Sequence, residues 1–150
     1  MASRMKQIYV AGAYTAEHAF EVELNIMAAK ETAMKVCSLG MNAFPVTPHL
    51  NTPHFEGIRD GDYFIEGTKD LMYRCDAVLL VLDKNHDNSV GTQGEIKAAK
   101  ETGMPVFTSL LDLRAWLAKE ERKEADKVKP SILEKLRTLF SGRTYSDVNL

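Results

Sequence analysis

Two different spacings of hydrophobic residues alternate along the first 118 residues of the chain. Short runs rich in apolar and β-branched residues predict four strands, at 7–12, 41–46, 76–82 and 106–110. Longer segments, with apolar residues about 3.6 positions apart, predict helices at 17–39, 62–74, 91–102 and 111–127. Pro130 is predicted to interrupt the last of these, and a further helical pattern covers 131–140.

Two of the predicted helices carry clear apolar stripes. The stripe of the helix at 17–39 comprises Phe20, Leu24, Met27, Ala28, Ala33, Met34 and Leu39. Such a stripe is typical of the face that packs against a core, and Gly40 is typical of a helix end. The second stripe, from Leu110 to Leu117, is predicted to lie in the core or in a subunit interface.

The alternation of strands and helices predicts an α/β protein. We expect a Rossmann-like (flavodoxin-like) open parallel sheet of four to five strands, flanked by helices, with strand order 2-1-3-4. The switch point would then lie between strands one and three, and 12–14 would meet 89–95 there. Residues 1–118 are predicted to form the single domain, and 119–150 a helical extension whose last ten residues are mobile.

Composition excludes several classes of protein. The chain has 150 residues, of which 45% are hydrophobic and 27% charged, as in ordinary globular domains. A net charge of −2 argues against a nucleic-acid-binding module. The sequence contains no apolar run long enough to span a membrane and starts without a secretory signal, so a cytoplasmic protein is expected. We therefore expect neither a nucleic-acid polymer nor a membrane as a partner.

The cysteines and histidines show no metal-binding pattern. Cys37 and Cys75 lie among apolar neighbours in predicted helices, and both are predicted to be buried free thiols. The four histidines lack metal-ligand spacing. No metal site is expected, and zinc bound by His49 and His54 is a minor alternative.

The segment Ser89–Glu95 is the strongest candidate for chemistry. It follows the third predicted strand and leads into a helix, where free backbone N–H groups and the helix dipole favour an anion. Glu95 is therefore predicted to stay ionised in the first helical turn. On this local pattern, a nucleophile and a plain helix-start acid are about equally well supported.

Three stretches together resemble the nucleoside 2-deoxyribosyltransferase superfamily. They are the run from Ile8 to Gly12, then Asp70-Leu71 shortly before Cys75–Val78, and finally Ser89–Glu95. The resemblance covers roughly residues 6–110 and is closest to the 2′-deoxynucleoside 5′-monophosphate N-hydrolases.

The resemblance implies a role for each matching residue. Glu95 matches the carboxylate nucleophile that traps the anomeric carbon, and Asp70 matches the acid near the departing base. Tyr9 matches the tyrosine that orients the nucleophile. Gly12 matches a glycine that lets the backbone approach the ligand.

The resemblance also bears on the substrate. Ser89 matches the N-hydrolases, whereas many transferases have Asp there, and a hydroxyl with the amides around Gly91 suits a 5′-phosphate. The basic residue that helps to bind phosphate in the hydrolases is missing from 13–18, where only His18 is basic. Arg59, or a neighbouring subunit, is the expected substitute.

Two loops are predicted to contact the substrate. Ala13 and Tyr14 lie in the first loop, and the long loop 47–60 is predicted to cover the base. There, Thr47, His49 and His54 offer hydrogen bonds to a base edge, and Tyr63 or Phe64 offers a ring for stacking.

The expected function is hydrolysis of the N-glycosidic bond of a 2′-deoxynucleoside 5′-monophosphate, without metal or cofactor. Two alternatives stay open: a deoxyribosyltransferase that exchanges bases, and a non-catalytic nucleotide-sensing module on the same scaffold. The resemblance further implies a homo-oligomer.

Overall fold

The structure is a computed structural model that describes residues 4–81 and 90–140, without the side chains of 128–131, 133 and 140. Its strands are β1 (Lys6–Ala11), β2 (Ala43–Val46), β3 (Ala77–Leu80) and β4 (Val106–Phe107). Its α-helices are α1 (Ala19–Ser38), α2 (Gly61–Met72), α3 (Val90–Glu101) and α4 (Leu110–Phe140). A short 3₁₀ helix, Pro48–Leu50, follows β2. The predicted tail 141–150 lies outside the described residues.

All four strands are parallel and lie in the order β2-β1-β3-β4. Tyr9 at the centre of β1 pairs with Val46 on one side and Val78 on the other. The predicted fold class and strand order are confirmed. The switch point between β1 and β3 therefore lies where the sequence predicted it.

The alternation of side chains along β1 separates two layers of core. One layer packs β1 and β3 against α1 and the start of α4, and it contains Ile8, Val36, Ala43, Ala77, Leu79, Leu113 and Leu117. The other packs them against α2 and α3, and it contains Tyr9, Ala11, Met72, Cys75, Val78, Leu80 and Ala99. The second layer holds the candidate site. The stripe from Leu110 to Leu117 belongs to the first layer, as one of its two predicted roles required.

The buried face of α1 is only in part the one that the sequence predicted: Ala33 is buried and Ala28 and Leu39 pack against the core, but the other four predicted residues do not. Its buried residues are Ile26, Ala29, Thr32, Ala33 and Val36. Phe20, Leu24, Met27 and Met34 are more than half exposed, at 55–63%. Because successive residues turn by roughly 100°, these four lie on the opposite side of the helix. The inner face carries the smaller Ala29 and Ala33, which pack with Val10 and Val81 and bring α1 close to the sheet.

One of the two predictions about the cysteines is also wrong. Cys37, one residue after buried Val36, is exposed, whereas Cys75 is buried as predicted. The apolar neighbours of Cys37 belong to a helix that is apolar on both sides, so they do not indicate burial.

The last strand and the last helix differ from their predicted bounds. β4 ends at Phe107 because Ser109 caps α4, with its hydroxyl accepting from the backbone N–H of Asp112 at 3.1 Å. α4 continues through Pro130, although an interior proline disfavours a helix, and strong helix formers lie on both sides of it.

Contacts group the chain into two units that meet between Leu117 and Ala118, and the sheet lies wholly in the first. In the second unit, short-range ion pairs such as Lys123 with Glu120, at 2.6 Å, run along the exposed helix. No helix in the described ranges combines the length and the apolar character needed to cross a bilayer.

Candidate active site

A hydrogen bond joins two residues that are far apart in the sequence. The Tyr9 hydroxyl donates to Oε1 of Glu95 at 2.6 Å. Tyr9 points from β1 toward α2 and α3 because of its place in the strand alternation. Glu95 lies on the face of α3 that also carries the buried Thr92 and Ala99, three residues before it and four after it. The fold therefore directs both side chains into the same layer.

Burial controls the charge of this pair. Burial raises the pKa of Glu95 to about 7, while the Tyr9 hydrogen bond and the Lys69 ammonium lower it by smaller amounts. Burial and the neighbouring Glu95 carboxylate raise the pKa of Tyr9 well above its usual value, so Tyr9 remains a hydrogen-bond donor. Glu95 is thus divided between its charged and neutral forms near pH 7.

The predicted helix-start charge of Glu95 is therefore corrected. α3 begins at Val90, so Glu95 lies in its second turn, and the first turn contains no acidic residue. The helix dipole acts mainly within the first turn, whereas desolvation acts wherever the carboxyl is buried. Desolvation is the larger effect here.

Two neighbouring residues of α2 approach the pair, and neither was singled out from the sequence. Thr68 and Lys69 are both partly buried. The Thr68 hydroxyl lowers the pKa of Tyr9 through a side-chain hydrogen bond, and Lys69 lowers the pKa of Glu95 through its charge. The available signal was helical spacing, since Thr68 lies one turn before Met72 on the buried side of α2.

Asp70 is not placed with Tyr9 and Glu95. Its side chain is exposed, and no hydrogen bond or ion pair joins it to the rest of the described chain. Asp70 is two residues from both Thr68 and Met72, so it lies roughly 160° around α2 from the side that faces the sheet. The structure therefore does not support the predicted contact of an Asp70 acid with the site.

Gly12 is explained by packing against β3. A Cβ at this position would lie 2.8 Å from Cβ of Val81, closer than side chains pack. The backbones of the two segments are also in contact, since the Val81 N–H donates to the Ala11 carbonyl at 2.7 Å. The glycine thus permits a close approach to Val81, and the predicted approach to a ligand stays a prediction.

The loop after β1 is tied to the 3₁₀ helix and to the loop beyond it. His49 Nε2 lies 3.0 Å from the Ala13 carbonyl, and the Tyr14 and His49 rings lie 6.0 Å apart. The Tyr14 hydroxyl donates to Glu56 and accepts from the His54 N–H at 3.0 Å. The structure therefore brings together Ala13, Tyr14 and His49, while Glu56 was not predicted.

The remaining predicted contacts are dispersed. Thr47 is half-buried at the start of the 3₁₀ helix, and Gly91 is exposed in the first turn of α3. Tyr63 is half-exposed on α2, with the Arg59 guanidinium 4.3 Å above its ring centre and the Phe64 ring at 5.2 Å. Ser89 lies outside the described residues.

A surface cavity at the opposite edge of the sheet has no comparable chemistry. It is lined by Cys75, Asp76 and Pro105, which precede β3 and β4, among others. Asp76 is already engaged there, since it pairs with Arg4 at 2.6 Å and accepts from the Gln7 N–H at 2.7 Å. Burial and the Asp76 charge raise the pKa of the Cys75 thiol to about 11, which leaves it unreactive.

The fold and the site define an α/β protein in which a buried tyrosine donates a hydrogen bond to a glutamate of raised pKa. No protein-family profile and no curated protein sequence matches the chain. A solved structure of a conserved protein from Enterococcus faecalis V583 matches with a TM-score of 0.54 at 18% identity. The match covers 68% of this chain and 61% of that one, so this chain spans only part of its length.

A 2-deoxyribosyltransferase from Bacillus psychrosaccharolyticus is also similar, with a TM-score of 0.47 at 18% identity. That match covers 67% of this chain and 69% of the other. At these identities, likeness to the Enterococcus protein shows a shared α/β fold alone, and likeness to the transferase carries no further conclusion.

Proposed function

We propose that the protein cleaves the N-glycosidic bond of a 2′-deoxynucleoside 5′-monophosphate and releases the free base and deoxyribose 5-phosphate. The observation that carries the proposal is the hydrogen bond of 2.6 Å from Tyr9 to the half-buried carboxyl of Glu95. The sequence resemblance assigns the same two residues to one task. A plain helix-start acid would have no need of a buried tyrosine as its partner.

The chemistry proposed for Glu95 is nucleophilic. The charged carboxylate attacks the anomeric carbon while the bond to the base breaks, and the bonding electrons leave with the base. Tyr9 holds Oε1, which leaves Oε2 for the attack. Water then hydrolyses the glycosyl ester and regenerates the carboxylate.

The donor of a proton to the departing base is left out of this mechanism. The resemblance assigns that role to Asp70, but its side chain is exposed on the far side of α2. Lys69 is the charged residue of α2 that acts on Glu95. An Asp70→Asn variant therefore tests the assignment directly, and we expect it to retain most of the activity.

A base-exchanging transferase is the second candidate. It uses the same glycosyl ester and differs in that a second base replaces water. One observation favours it: 13–18 contains no Arg or Lys to neutralise a 5′-phosphate, which suits an uncharged nucleoside.

The test is a base-release screen. The purified protein is incubated with each common 2′-deoxynucleoside and its 5′-monophosphate, with and without an acceptor base, and free base is measured by chromatography. The control is Glu95→Gln, which keeps an oxygen for the Tyr9 hydrogen bond but cannot attack. Release of base from monophosphates by the wild type but not by Glu95→Gln, with no acceptor base present, supports the proposal. Release of base that requires an acceptor base supports the transferase. Binding without release by both proteins would identify a nucleotide-sensing module instead.

A further inference from the structure

Thr68 is a partly buried threonine of α2 that contacts the pair formed by Tyr9 and Glu95. It lies one turn before Met72, which is fully buried in the same core layer as Tyr9. Its hydroxyl forms a side-chain hydrogen bond with Tyr9. The same hydroxyl lies 3.1 Å from the carbonyl oxygen of Ile65, one turn earlier in α2. Thr68 therefore connects the backbone of α2 to the phenol that holds Glu95.

The chemistry of these three side chains fixes the direction of their hydrogen bonds. A phenol has one hydrogen, and Tyr9 donates it to Oε1 of Glu95 at 2.6 Å. The Tyr9 oxygen can then only accept from its other neighbour, so the hydroxyl of Thr68 is the donor between them. Burial and the Glu95 charge raise the pKa of Tyr9, and Thr68 lowers it, as a donor to the phenol oxygen does.

Donation by Thr68 strengthens the bond from Tyr9 to Glu95. A hydroxyl that accepts one hydrogen bond becomes a better donor, and bonds in a chain are each strengthened by roughly 10–30% in this way. Ile65 competes for the single hydrogen of Thr68, since its carbonyl oxygen is a second acceptor nearby. The negative charge of Glu95 polarises the phenol and makes its oxygen the stronger of the two acceptors. Thr68 therefore donates to Tyr9 when Glu95 is ionised.

We propose that Thr68 is a positioning residue whose hydroxyl completes a hydrogen-bond relay, from Thr68 through Tyr9 to Glu95, and thereby favours the ionised carboxylate. This inference rests on the proposed function, in which that carboxylate is the nucleophile. Thr68 acts through Tyr9 and takes no part in bond breaking. Its hydroxyl sets how firmly Tyr9 holds Oε1 of Glu95.

The other groups that act on the pair stay in place when Thr68 is changed. After burial and the bond from Tyr9, the charge of Lys69 on α2 is the remaining influence on the pKa of Glu95. Cys75, just after α2, makes the smallest contribution to the pKa of Tyr9. β4 also packs against α3, but both of its residues are apolar. A change in the titration of Glu95 after substitution of Thr68 therefore reports the lost hydroxyl.

Four substitutions test the relay. Thr68→Val removes the hydroxyl and keeps the branched shape, Thr68→Ala removes both, and Thr68→Ser keeps the hydroxyl. Thr102→Val is the matched control, because the Thr102 hydroxyl likewise donates to a carbonyl three residues earlier, that of Ala99 at 2.9 Å. Each substitution is made in wild type and in Tyr9→Phe, and thermal unfolding verifies that each variant is folded.

The pKa of Glu95 is measured directly by NMR of its side-chain carboxyl carbon, whose signal is assigned by its loss in Glu95→Gln. We expect Thr68→Val and Thr68→Ala to raise that pKa by about 0.3, since 10–30% of the roughly 1–2 units from the whole Tyr9 bond would be lost. Thr68→Ser and Thr102→Val should leave the pKa unchanged. In the Tyr9→Phe background, no substitution of Thr68 should move it, because the relay is already broken.

Each outcome decides the inference. The same rise in both backgrounds, or a rise in Thr68→Ser, would mean that Thr68 acts on Glu95 through packing and not through Tyr9. No rise in Thr68→Val and Thr68→Ala would mean that Thr68 donates only to Ile65. The titration needs no substrate, so the expected pattern without base release by wild type would overturn the proposed function and leave the relay standing. Base release without the pattern would overturn the relay alone.

Discussion

At the scale of single residues, burial disfavours the charged form of the Glu95 carboxyl group, and the hydrogen bond from Tyr9 partly offsets that effect. Burial raises the pKa of Glu95 to about 7, and the Tyr9 hydrogen bond is the largest opposing contribution. A nucleophile must be ionised, so kcat/KM should fall as pH drops through about 7. Tyr9 therefore extends to lower pH the range in which the proposed reaction runs.

Removing the Tyr9 hydroxyl should shift that pH range upward. A hydrogen bond to a charged acceptor contributes about 1.5–3 kcal/mol, so Tyr9→Phe should raise the pKa of Glu95 by about 1–2 units. The acid limb of the kcat/KM profile should move to higher pH by the same amount. Tyr73→Phe, at a half-exposed tyrosine elsewhere, is the control and should leave the profile unchanged. An unmoved limb in Tyr9→Phe would show that Glu95 is not the titrating group.

The same carboxyl group should make folding stability depend on pH. Its folded pKa, about 7, lies above the ordinary value of 4.5, so the folded state binds the proton more tightly than the unfolded state does. The contribution of Glu95 to the stability of wild type should be fully present below pH 4.5 and be lost as the pH rises through about 7, by roughly 3 kcal/mol at most. Glu95→Gln abolishes this loss, and urea unfolding should show the variant gaining on wild type between pH 4 and pH 8. Exposed Glu66→Gln should show no such gain.

At the scale of elements, the chain just after β1 and the chain just after β3 lie so close together that residue 12 has no room for a side chain. Gly12→Ala would place a methyl group against Val81, and overpacking of this kind costs about 1–3 kcal/mol. Denaturant unfolding of Gly12→Ala, Val81→Ala and the double variant forms a mutant cycle. We expect the double variant to lose less than the sum of the single losses, because the smaller residue at 81 makes room. Additive losses would show that the two positions do not compete for space.

The sequence predicted the elements and their order because hydrophobic periodicity determines them. It predicted burial for four outward-facing residues of α1 because that helix has apolar residues on both sides. The inward side was decided by Ala29 and Ala33, whose small side chains let the helix approach the sheet. Hydrophobic periodicity alone does not show whether the side with small apolar residues or the side with large ones will pack against the sheet.

The contact between Tyr9 and Glu95 was predicted, whereas the neighbours of this pair on α2 were not. Tyr9 and Glu95 are 86 positions apart, and resemblance to known proteins placed them together where local pattern could not. The same resemblance selected Asp70, but the register of α2 turns Thr68 and Lys69 toward the pair instead. The pKa of Glu95 was misjudged because desolvation depends on packing from α2 and β1, which a local stretch of sequence does not show.

At the scale of the whole molecule, the outer side of α1 exposes several large apolar side chains. Phe20, Leu24, Met27 and Met34 form a strip along its outer side, each more than half exposed. A helix that is apolar on both sides is normally covered on both sides. The strip is interrupted by exposed Glu31, which lies between Met27 and Met34 on the same face of the helix. Exposed apolar patches with polar residues among or around them are typical of interaction surfaces. A second copy of the chain is the occupant that we propose, because in a symmetric dimer the same strip meets itself.

The proposed self-association makes a direct prediction about mass in solution. Leu24→Lys places a charge at the centre of the strip, and a buried charge without a partner is costly, so the dimer should dissociate. Leu111→Lys is the matched control, since Leu111 is 76% exposed on α4 and lies outside the strip. Light scattering after size exclusion should give twice the chain mass of 16.8 kDa for wild type and the control. For Leu24→Lys, light scattering should give the mass of a single chain. At low protein concentration, the unfolding midpoint of Leu24→Lys should match that of Leu111→Lys, which would show that the variant is folded. If wild type and both variants all had the mass of one chain, the strip on α1 would not be covered by a second copy, and the proposed dimer would be wrong.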